Sequence, residues 1–311
     1  MILAINHEKK YHIIFYIPKV FLLNARYLKS LIAIVENGSI ADAARIENLT
    51  AAAIGQRIQS LEAELGLTLL SRVGHTAQPT QACMKLLPRI RKIVREVELL
   101  HTSTDETGLG GIFRIGAIST VLTGILPSVL RELTQAAPKC QPVIVPGTSK
   151  ELFQMLQEGK IDIAILVAPP FELPSSLTAV TIRKEPLIVL AHSDDISDPV
   201  QLLNTQPYIR YAKDSWGGRY ASAWLTQHAL KTKLLCDLDA LETIGILVSN
   251  RMGVSLVPQW AGMKRFIKDC QIIPIEDKGY ERSIILVENI IADLPRMNSL
   301  LKEILSTIQI E

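Results

Sequence analysis

The chain has 311 residues, and 33 Lys and Arg against 31 Asp and Glu leave a formal net charge of only +2. This balance excludes a general polycation, so any binding of nucleic acid must come from a local arrangement of residues. A hydrophobic share of 48% allows sizeable cores, and the length predicts about two domains.

The four cysteines, Cys83, Cys140, Cys236 and Cys270, lie far apart and form no C-x-x-C pair. This spacing excludes a zinc ribbon and a disulfide framework, and we expect neither a metal site nor a cofactor. Free thiols are typical of a reducing cytoplasm, which is the location we expect. A redox role for Cys236 and Cys270 is the alternative to inert, half-buried thiols.

Residues 1–23 precede the first clear helical pattern, and we interpret them as an N-terminal extension. Lys9 and Lys10 stand before an apolar stretch, as in a secretion signal, but Pro18 and Lys19 interrupt that stretch. A cleaved signal is therefore the alternative. No stretch approaches the ~20 apolar residues that cross a bilayer, so we expect no membrane association.

Two helices joined by a tight turn are predicted between residues 39 and 66. Ser39 followed by Asp42 is the capping-box arrangement, and Thr50 is the natural N-cap of the second helix. Ile54, Ile58, Leu61 and Leu65 then recur at helical spacing. Such a pair is a helix-turn-helix unit, whose second helix enters the major groove of DNA.

The outer face of the second helix carries Ala52, Gln56, Gln59 and Ala63, where a surface helix usually has Lys and Glu. Small residues such as Ala52 and Gly55 allow a close approach to base edges, and glutamine can pair bidentately with adenine. We also expect Arg57, on the flank of the helix, to reach a phosphate or a guanine. Packing against another domain is the alternative for this face.

The segment "SRVGHTAQPT" (71–80) predicts a hairpin that would place Arg72 and His75 against the DNA backbone, although His75 would also suit an exposed loop. A long helix follows, in which apolar residues alternate at spacings of three and four, as in a coiled coil. These residues are Cys83, Leu86, Ile90, Ile93, Val97 and Leu100. We expect this helix to dimerise, to bend at Pro88 without ending there, and to expose Arg89, Arg91, Lys92 and Arg95.

Strands alternate with helices from residue 112 to residue 311, which predicts parallel α/β sheets in two lobes with a cleft between them. Ligands bind such sheets at the carboxyl ends of strands, beside helix N-termini. The candidate effector contacts there are Ser119, Thr120, Thr148, Ser149, Trp216 and Arg219. Their hydroxyls suit a carboxylate, although plain helix capping is the alternative. No catalytic motif is present in the sequence, so we do not expect an enzyme.

The stretches "LIAIVENGSIADAARIENLTAAAIGQRIQSLEAELGLTLLSR", "PTQA", "FRIGAIST", "ILPSVLREL", "ELFQMLQEGKIDIAILV" and "RMGVSLVPQW" resemble the LysR-type transcriptional regulators. The resemblance implies a winged helix-turn-helix at 24–80, a linker and dimerisation helix at 81–104, and an effector-binding domain at 112–311. That domain would have the type 2 periplasmic-binding-protein fold. Its lobe I would comprise 112–190 and 281–311, and its lobe II 191–280.

The resemblance further implies a homodimer or homotetramer that binds interrupted inverted repeats in double-stranded promoter DNA and works with RNA polymerase. A small-molecule effector, with a carboxylate as its candidate chemistry, would bind between the lobes. By position, the base contacts fall on Thr50, Ala51, Ala52, Gly55 and Gln56, with Arg72 in the wing. A solute-binding protein and an enzyme on the same scaffold are the alternatives.

The sequence departs from the family's pattern in the second helix. The family usually has Ser-Gln-Pro or a similar triplet at 50–52 and a serine at 55. Ala51, Ala52 and Gly55 offer no side-chain hydrogen bond. We therefore expect Arg57 and Gln59 to contribute more to DNA binding than is usual in the family.

Overall fold

This computed structural model describes residues 23–73, 76–100, 107–195, 198–277 and 279–308, without the side chains of 72, 73 and 76. The chain divides into two compact units between Val94 and Arg95, and each is described by itself. Within the described ranges, no helix is long and apolar enough to cross a membrane.

The first unit begins with three helices, α1 (Ala25–Asn37), α2 (Ile40–Ile46) and α3 (Ala51–Leu65). An antiparallel hairpin of β1 (Leu70–Val73) and β2 (Thr76–Pro79) follows, and then the long helix α4 (Gln81–Leu100).

Local signals in the sequence set the ends of these helices. The Ser39 hydroxyl accepts a hydrogen bond from the backbone N–H of Asp42 (3.0 Å), and the Thr50 hydroxyl accepts one from that of Ala53 (3.2 Å). Both residues are therefore the N-caps that the sequence predicts. Gly66 ends α3 in the left-handed conformation, with φ of 68°, where a side chain would be strained.

The core of the first unit is formed by the inner faces of α1, α2 and α3. Leu31, Ala43, Ile54 and Leu61 are fully buried in it, so α3 buries the apolar stripe predicted from its spacing. Each large apolar side chain buried in this way contributes about 1.5–3 kcal/mol.

Helix α4 runs through Pro88 without ending, as predicted. Its apolar residues do not form one continuous coiled-coil seam, because Cys83 and Ile90 are buried in the core of the first unit. Ile93, Val97 and Leu100 remain exposed.

The prediction that the basic residues of α4 all face outward is wrong for two of them. Arg91 is buried beside Glu36 (Nη2 to Oε1, 3.1 Å), and Arg95 is buried beside Asp162 (Nη2 to Oδ1, 2.9 Å). Each guanidinium can be buried because a carboxylate balances its charge.

Lobe I of the second unit contains a sheet flanked by helices. Its strands are β3 (Gly111–Ala117), β4 (Cys140–Pro146), β5 (Ile163–Val167), the first part of β6 (Leu177–His192) and β11 (Glu281–Asn289). Its helices are α5 (Ser119–Gly124), α6 (Leu126–Ala136), α7 (Ser149–Gln157) and α11 (Pro295–Thr307).

The sheet is mixed, whereas the sequence predicted a parallel one. Strand β3 pairs in parallel with β4 and β5, but β11 pairs antiparallel with both β5 and β6. The mixed character comes from β11, which enters the sheet after lobe II and lies between β5 and β6, antiparallel to both.

Lobe II contains strands β7 (Pro207–Tyr211), β8 (Lys233–Leu238), β9 (Ser255–Pro258) and β10 (Cys270–Pro274). Its helices are α8 (Pro199–Thr205), α9 (Gly218–Gln227) and α10 (Leu241–Ser249), with a 3₁₀ turn at Met263–Arg265. Strands β9 and β10 pair with the second part of β6, while β7 and β8 form a separate parallel pair.

Strand β6 extends from one lobe into the other. Its first part pairs with β11 in lobe I, whereas Leu187–Leu190 pairs with β9 and packs into the two cores of lobe II. In the structure, residues 187–190 therefore pack with lobe II, although the sequence places them in lobe I.

Candidate functional sites

The exposed face of α3 lies opposite its buried stripe. Ala51, Ala52, Gln56 and Gln59 are exposed on this face, and Gly55 is half-buried beside them. A Cβ atom added at Gly55 would meet no heavy atom within 4 Å, so packing within this chain does not require glycine there. The face thus combines small residues with two amides, a combination suited to close contact with base edges.

Ser39 and Thr50 lie at the N-termini of the two helices of this motif. Their hydroxyls accept backbone hydrogen bonds in the caps described above, and the Ser39 hydroxyl also donates to the Asp42 carboxylate. These contacts fix where α2 and α3 begin, and so they orient the exposed face of α3.

Arg57 has a different position from the one expected from the sequence. Its Nη1 donates to the Glu47 carboxylate (2.6 Å) and to the Ser30 hydroxyl (2.9 Å), and its side chain is only 21% exposed. The Ser30 hydroxyl also donates to Glu47 (2.9 Å). The guanidinium therefore connects α3 to α1 and to the end of α2, because a half-buried carboxylate lies within its reach.

The predicted wing exists as the β1–β2 hairpin. Arg72 lies in β1 opposite Ala77, and its side chain is outside the described part of the structure. His75 lies outside the described residues altogether.

A cavity of about 590 Å³ lies between the two lobes of the second unit. It is lined by the first residues or the N-caps of four helices, α5, α7, α9 and α10. The first two N–H groups of α9 donate to Ser215, whereas α10 begins without a side-chain cap, so backbone N–H groups are presented at the start of α10. Five of the predicted effector residues line this cavity, namely Ser119, Thr120, Thr148, Ser149 and Trp216.

Arg282 also lines the cavity, and no motif in the sequence indicates this position. It is fully buried; its Nε donates to Glu185, its Nη2 to the Thr120 hydroxyl (3.1 Å) and its Nη1 to the Tyr211 hydroxyl (3.3 Å). Burial opposes its charged form, but Glu185 and Tyr211 outweigh this effect and raise the pKa of Arg282. The Arg282 guanidinium, which remains charged, therefore lies directly behind the hydroxyls of Thr120 and Tyr211.

The hydroxyls that follow β4 have local partners. Thr148 and Glu151 form a complete capping box at the start of α7, and these hydrogen bonds lower the pKa of the Glu151 carboxyl. The buried Ser149 hydroxyl accepts from the backbone N–H of Val167 (3.1 Å). By contrast, Ser119 is exposed to the cavity, and the Thr120 hydroxyl accepts from Arg282 and still has its own hydrogen to donate.

Trp216 forms one wall of the cavity. Its ring meets those of Phe153 and Phe171 edge-on, with centroids 5.7 and 5.5 Å away. Arg219 is not among the lining residues. Its Nη2 donates to the carbonyl of Ala168 (3.2 Å) and to the Tyr220 hydroxyl (2.8 Å), so this guanidinium links α9 to the end of β5.

Comparison with known families matches both units. Residues 25–84 match the model described as "Bacterial regulatory helix-turn-helix protein, lysR family", and residues 106–287 match the "LysR substrate binding domain". Among curated proteins, the chain is 25% identical over 272 residues to the hydrogen peroxide-inducible genes activator of Haemophilus influenzae. This match covers 85% of this chain and 90% of that protein.

Solved structures of the same architecture include full-length OxyR from Pseudomonas aeruginosa (TM-score 0.68, 18% identity), which covers 92% of this chain and 96% of that one. Full-length CbnR in complex with its target DNA gives a TM-score of 0.62 at 19% identity and covers 91% and 99%. The chain therefore belongs to the LysR family and is a LysR-type transcriptional regulator with a DNA-binding helix-turn-helix and an effector-binding domain.

Proposed function

We propose that the protein reads promoter DNA through the exposed face of α3 and that it changes its binding when a small carboxylate occupies the cavity between the lobes. The observation that carries the DNA-reading part is that face itself, on which alanines and two glutamines stand opposite a fully buried stripe. CbnR, whose structure was solved with its target DNA, supports this use of the fold.

We propose that the functional form is a homodimer or homotetramer. In support, Ile93, Val97 and Leu100 leave an apolar stripe exposed on α4, next to the part of the helix that is buried in the core. Two copies related by a two-fold axis would bind two half-sites, so the target would be an interrupted inverted repeat. In this proposal the protein acts in the cytoplasm, has RNA polymerase as a partner and performs no catalytic step.

The cavity favours an effector with a single anionic group. The Thr120 hydroxyl, backed by Arg282, and the exposed Ser119 hydroxyl can donate to one carboxylate at the inner end. Three exposed carboxylates, those of Glu151, Asp214 and Asp239, and one exposed lysine, Lys150, also line the cavity. Because like charges repel and the acids outnumber the lysine, a second carboxylate is disfavoured, and we expect monocarboxylates to bind more tightly than dicarboxylates of similar size.

Coupling between the effector and DNA requires that the effector bind one arrangement of the protein better than another. A coupling free energy of about 1–3 kcal/mol would change DNA affinity by roughly fivefold to 150-fold. This range sets the sensitivity needed in a binding assay.

The effector part is tested by isothermal titration of the full chain with a panel of small monocarboxylates and dicarboxylates. Thr120→Val should weaken binding of the best monocarboxylate by roughly tenfold to 150-fold, since a hydrogen bond to a charged group is worth about 1.5–3 kcal/mol. Thr134→Val, on the exposed face of α6, is the matched control. An equal loss of affinity in Thr120→Val and Thr134→Val, or tighter binding of dicarboxylates than of monocarboxylates, would contradict a monocarboxylate site at Thr120.

A further inference from the structure

We propose a second ligand site, for a small oxyanion, in a separate cavity of about 350 Å³. This cavity lies where β6 meets the 3₁₀ turn of lobe II. Its lining residues include Arg183, Trp260, Met263, Lys264, Arg265 and Ile272. None of the described lining residues is shared with the cavity between the lobes, so the two sites are distinct.

The lining of this second cavity is positively charged. It includes three cationic residues, Arg183, Lys264 and Arg265, and no carboxylate among its described residues. Glu185 lies in β6, two residues after Arg183; it is buried and accepts from Arg282 and from the backbone N–H of Ala261 (3.1 Å). Its charge is largely satisfied there, although it also lies 3.7 Å from Nε of Arg183.

Lys264 and Arg265 keep donors for a ligand. One Nη of Arg265 donates to the carbonyl of Thr123 (2.9 Å), which leaves further N–H groups on that guanidinium. Lys264 is exposed, and its ammonium has three donors. Guanidinium groups match the geometry of carboxylate and phosphate oxygens, which makes an oxyanion the fitting ligand.

Trp260 provides an independent indication. The residue is only 1% exposed, and its indole N–H has no hydrogen-bond acceptor among the described residues. Most buried donors in proteins are paired, so an unpaired one is a reason to look for a missing acceptor. Met263 and Ile272 add apolar surface beside the indole. Together they fit an organic anion, whose oxygens face the cations while its carbon skeleton contacts the apolar residues.

The test is isothermal titration of the full chain with phenyl phosphate, inorganic phosphate and phenol. We expect both phosphates to bind with dissociation constants below about 1 mM. Phenol, which has the ring without the charge, should not bind. Lys264→Gln should weaken phenyl phosphate by about tenfold, because a charge-assisted hydrogen bond is lost. Lys268→Gln, an exposed cation outside the lining, is the control and should change affinity less than about twofold.

Three outcomes would overturn the proposal. The first is absence of heat with either phosphate, and the second is unchanged affinity in Lys264→Gln. The third is loss of phenyl phosphate binding in Thr120→Val but not in Lys264→Gln, since this would place the anion in the cavity between the lobes. That cavity is probed separately by the carboxylate panel, so failure of this second site leaves the first assignment intact.

Discussion

Gln56 and Gln59 supply amide hydrogen-bonding groups on the exposed face of α3, where Ala51 and Ala52 have none. In the proposed function, base discrimination by this face comes mainly from the two amides and from contacts of methyl groups with thymine. The caps at Ser39 and Thr50 position these side chains.

Replacing either glutamine by alanine should reduce discrimination between the target and a site with one changed base pair. Loss of one bidentate contact is expected to cost about 1–3 kcal/mol of discrimination. The ratio of the two affinities, measured by fluorescence anisotropy, tests this expectation. Gln135→Ala, at an exposed position of α6, is the matched control. If Gln56→Ala and Gln59→Ala both keep the wild-type ratio, the face is not the reading surface.

The hydrogen bonds of Arg57 to Ser30 and Glu47 indicate a different role from the DNA contact expected from the sequence. Its ion pair with Glu47 is largely shielded from solvent, with side chains 21% and 13% exposed. We therefore propose that Arg57 stabilises the helix-turn-helix and acts on DNA only by holding α3 in place.

Arg57→Ala should destabilise the first unit by roughly 1–3 kcal/mol, because the Glu47 carboxylate is left half-buried and without its cation. Arg45→Ala removes a solvent-exposed pair with Asp42 and should cost less than about 1 kcal/mol. Denaturant unfolding of the full chain, followed by hydrogen exchange of α3 amides, compares the two. Weaker DNA binding in Arg57→Ala with unchanged stability would show direct contact instead.

Cys140 illustrates how burial sets thiol chemistry. Desolvation, followed by the charge of Asp162, raises the pKa of Cys140 to about 11. The thiolate is the reactive form, so this thiol should be slow to react near neutral pH.

Alkylation of Cys140 by iodoacetamide should accordingly be much slower at neutral pH than that of an ordinary thiol, whose pKa is about 8.5. Because the folded-state pKa is raised, the rate should rise about tenfold per pH unit until the pH approaches that pKa. Peptide mass spectrometry after timed alkylation measures it, with the unfolded chain as the reference. Fast modification of the folded chain at neutral pH would contradict the expected burial.

Helix α4 buries some of its apolar residues and leaves others exposed to solvent. Cys83 and Ile90 complete the core of the first unit, while Ile93, Val97 and Leu100 remain exposed at 42%, 37% and 68%. An exposed apolar stripe of this kind is typical of a helix that pairs with another.

Val97→Asp should shift the proposed dimer or tetramer toward monomer, since it places a charge within the stripe. Met84→Asp introduces the same charge at another exposed apolar position, on the opposite side of α4, and should leave the assembly unchanged. Sedimentation equilibrium of both variants separates the two effects. An unchanged oligomer in Val97→Asp would mean that another surface assembles the protein.

Elements governed by local signals were predictable from the sequence. The caps at Ser39 and Thr50 and the buried stripe of α3 depend on residues within a few positions of one another, and they formed as expected. Thr120 could be placed at the cavity because it follows the carboxyl end of β3, and ligand cavities of α/β sheets lie at such strand ends. The sequence also correctly indicated two alternating α/β lobes.

Contacts between distant residues were not predictable in the same way. Arg282 reaches Thr120 across 162 positions, and the pair of Arg57 with Glu47 depends on how α3 crosses α2. The antiparallel pairing of β6 with β11 brings Arg282 next to Glu185 by its register. Periodicity shows which face of a strand is buried, but it does not show which strand lies beside it.

For the whole molecule, a net charge of only +2 means that affinity for DNA must come from a local arrangement of charges. Residues 24–104 carry ten Lys and Arg against seven Asp and Glu, a modest basic excess in that part of the chain. We therefore expect a moderate number of phosphate contacts per copy, with specificity supplied by α3 and by the spacing of half-sites.

The measurement that tests the central claim most directly is a footprint of the purified full chain on the DNA upstream of its own gene, at two salt concentrations. We predict protection of an interrupted inverted repeat. The affinity of the protein for this DNA should fall as salt rises. A plot of the logarithm of the binding constant against the logarithm of the salt concentration should fall with a slope of about 0.9 for each phosphate contacted. Protection without two-fold symmetry, or binding that does not depend on salt, would contradict a dimer that reads DNA through α3.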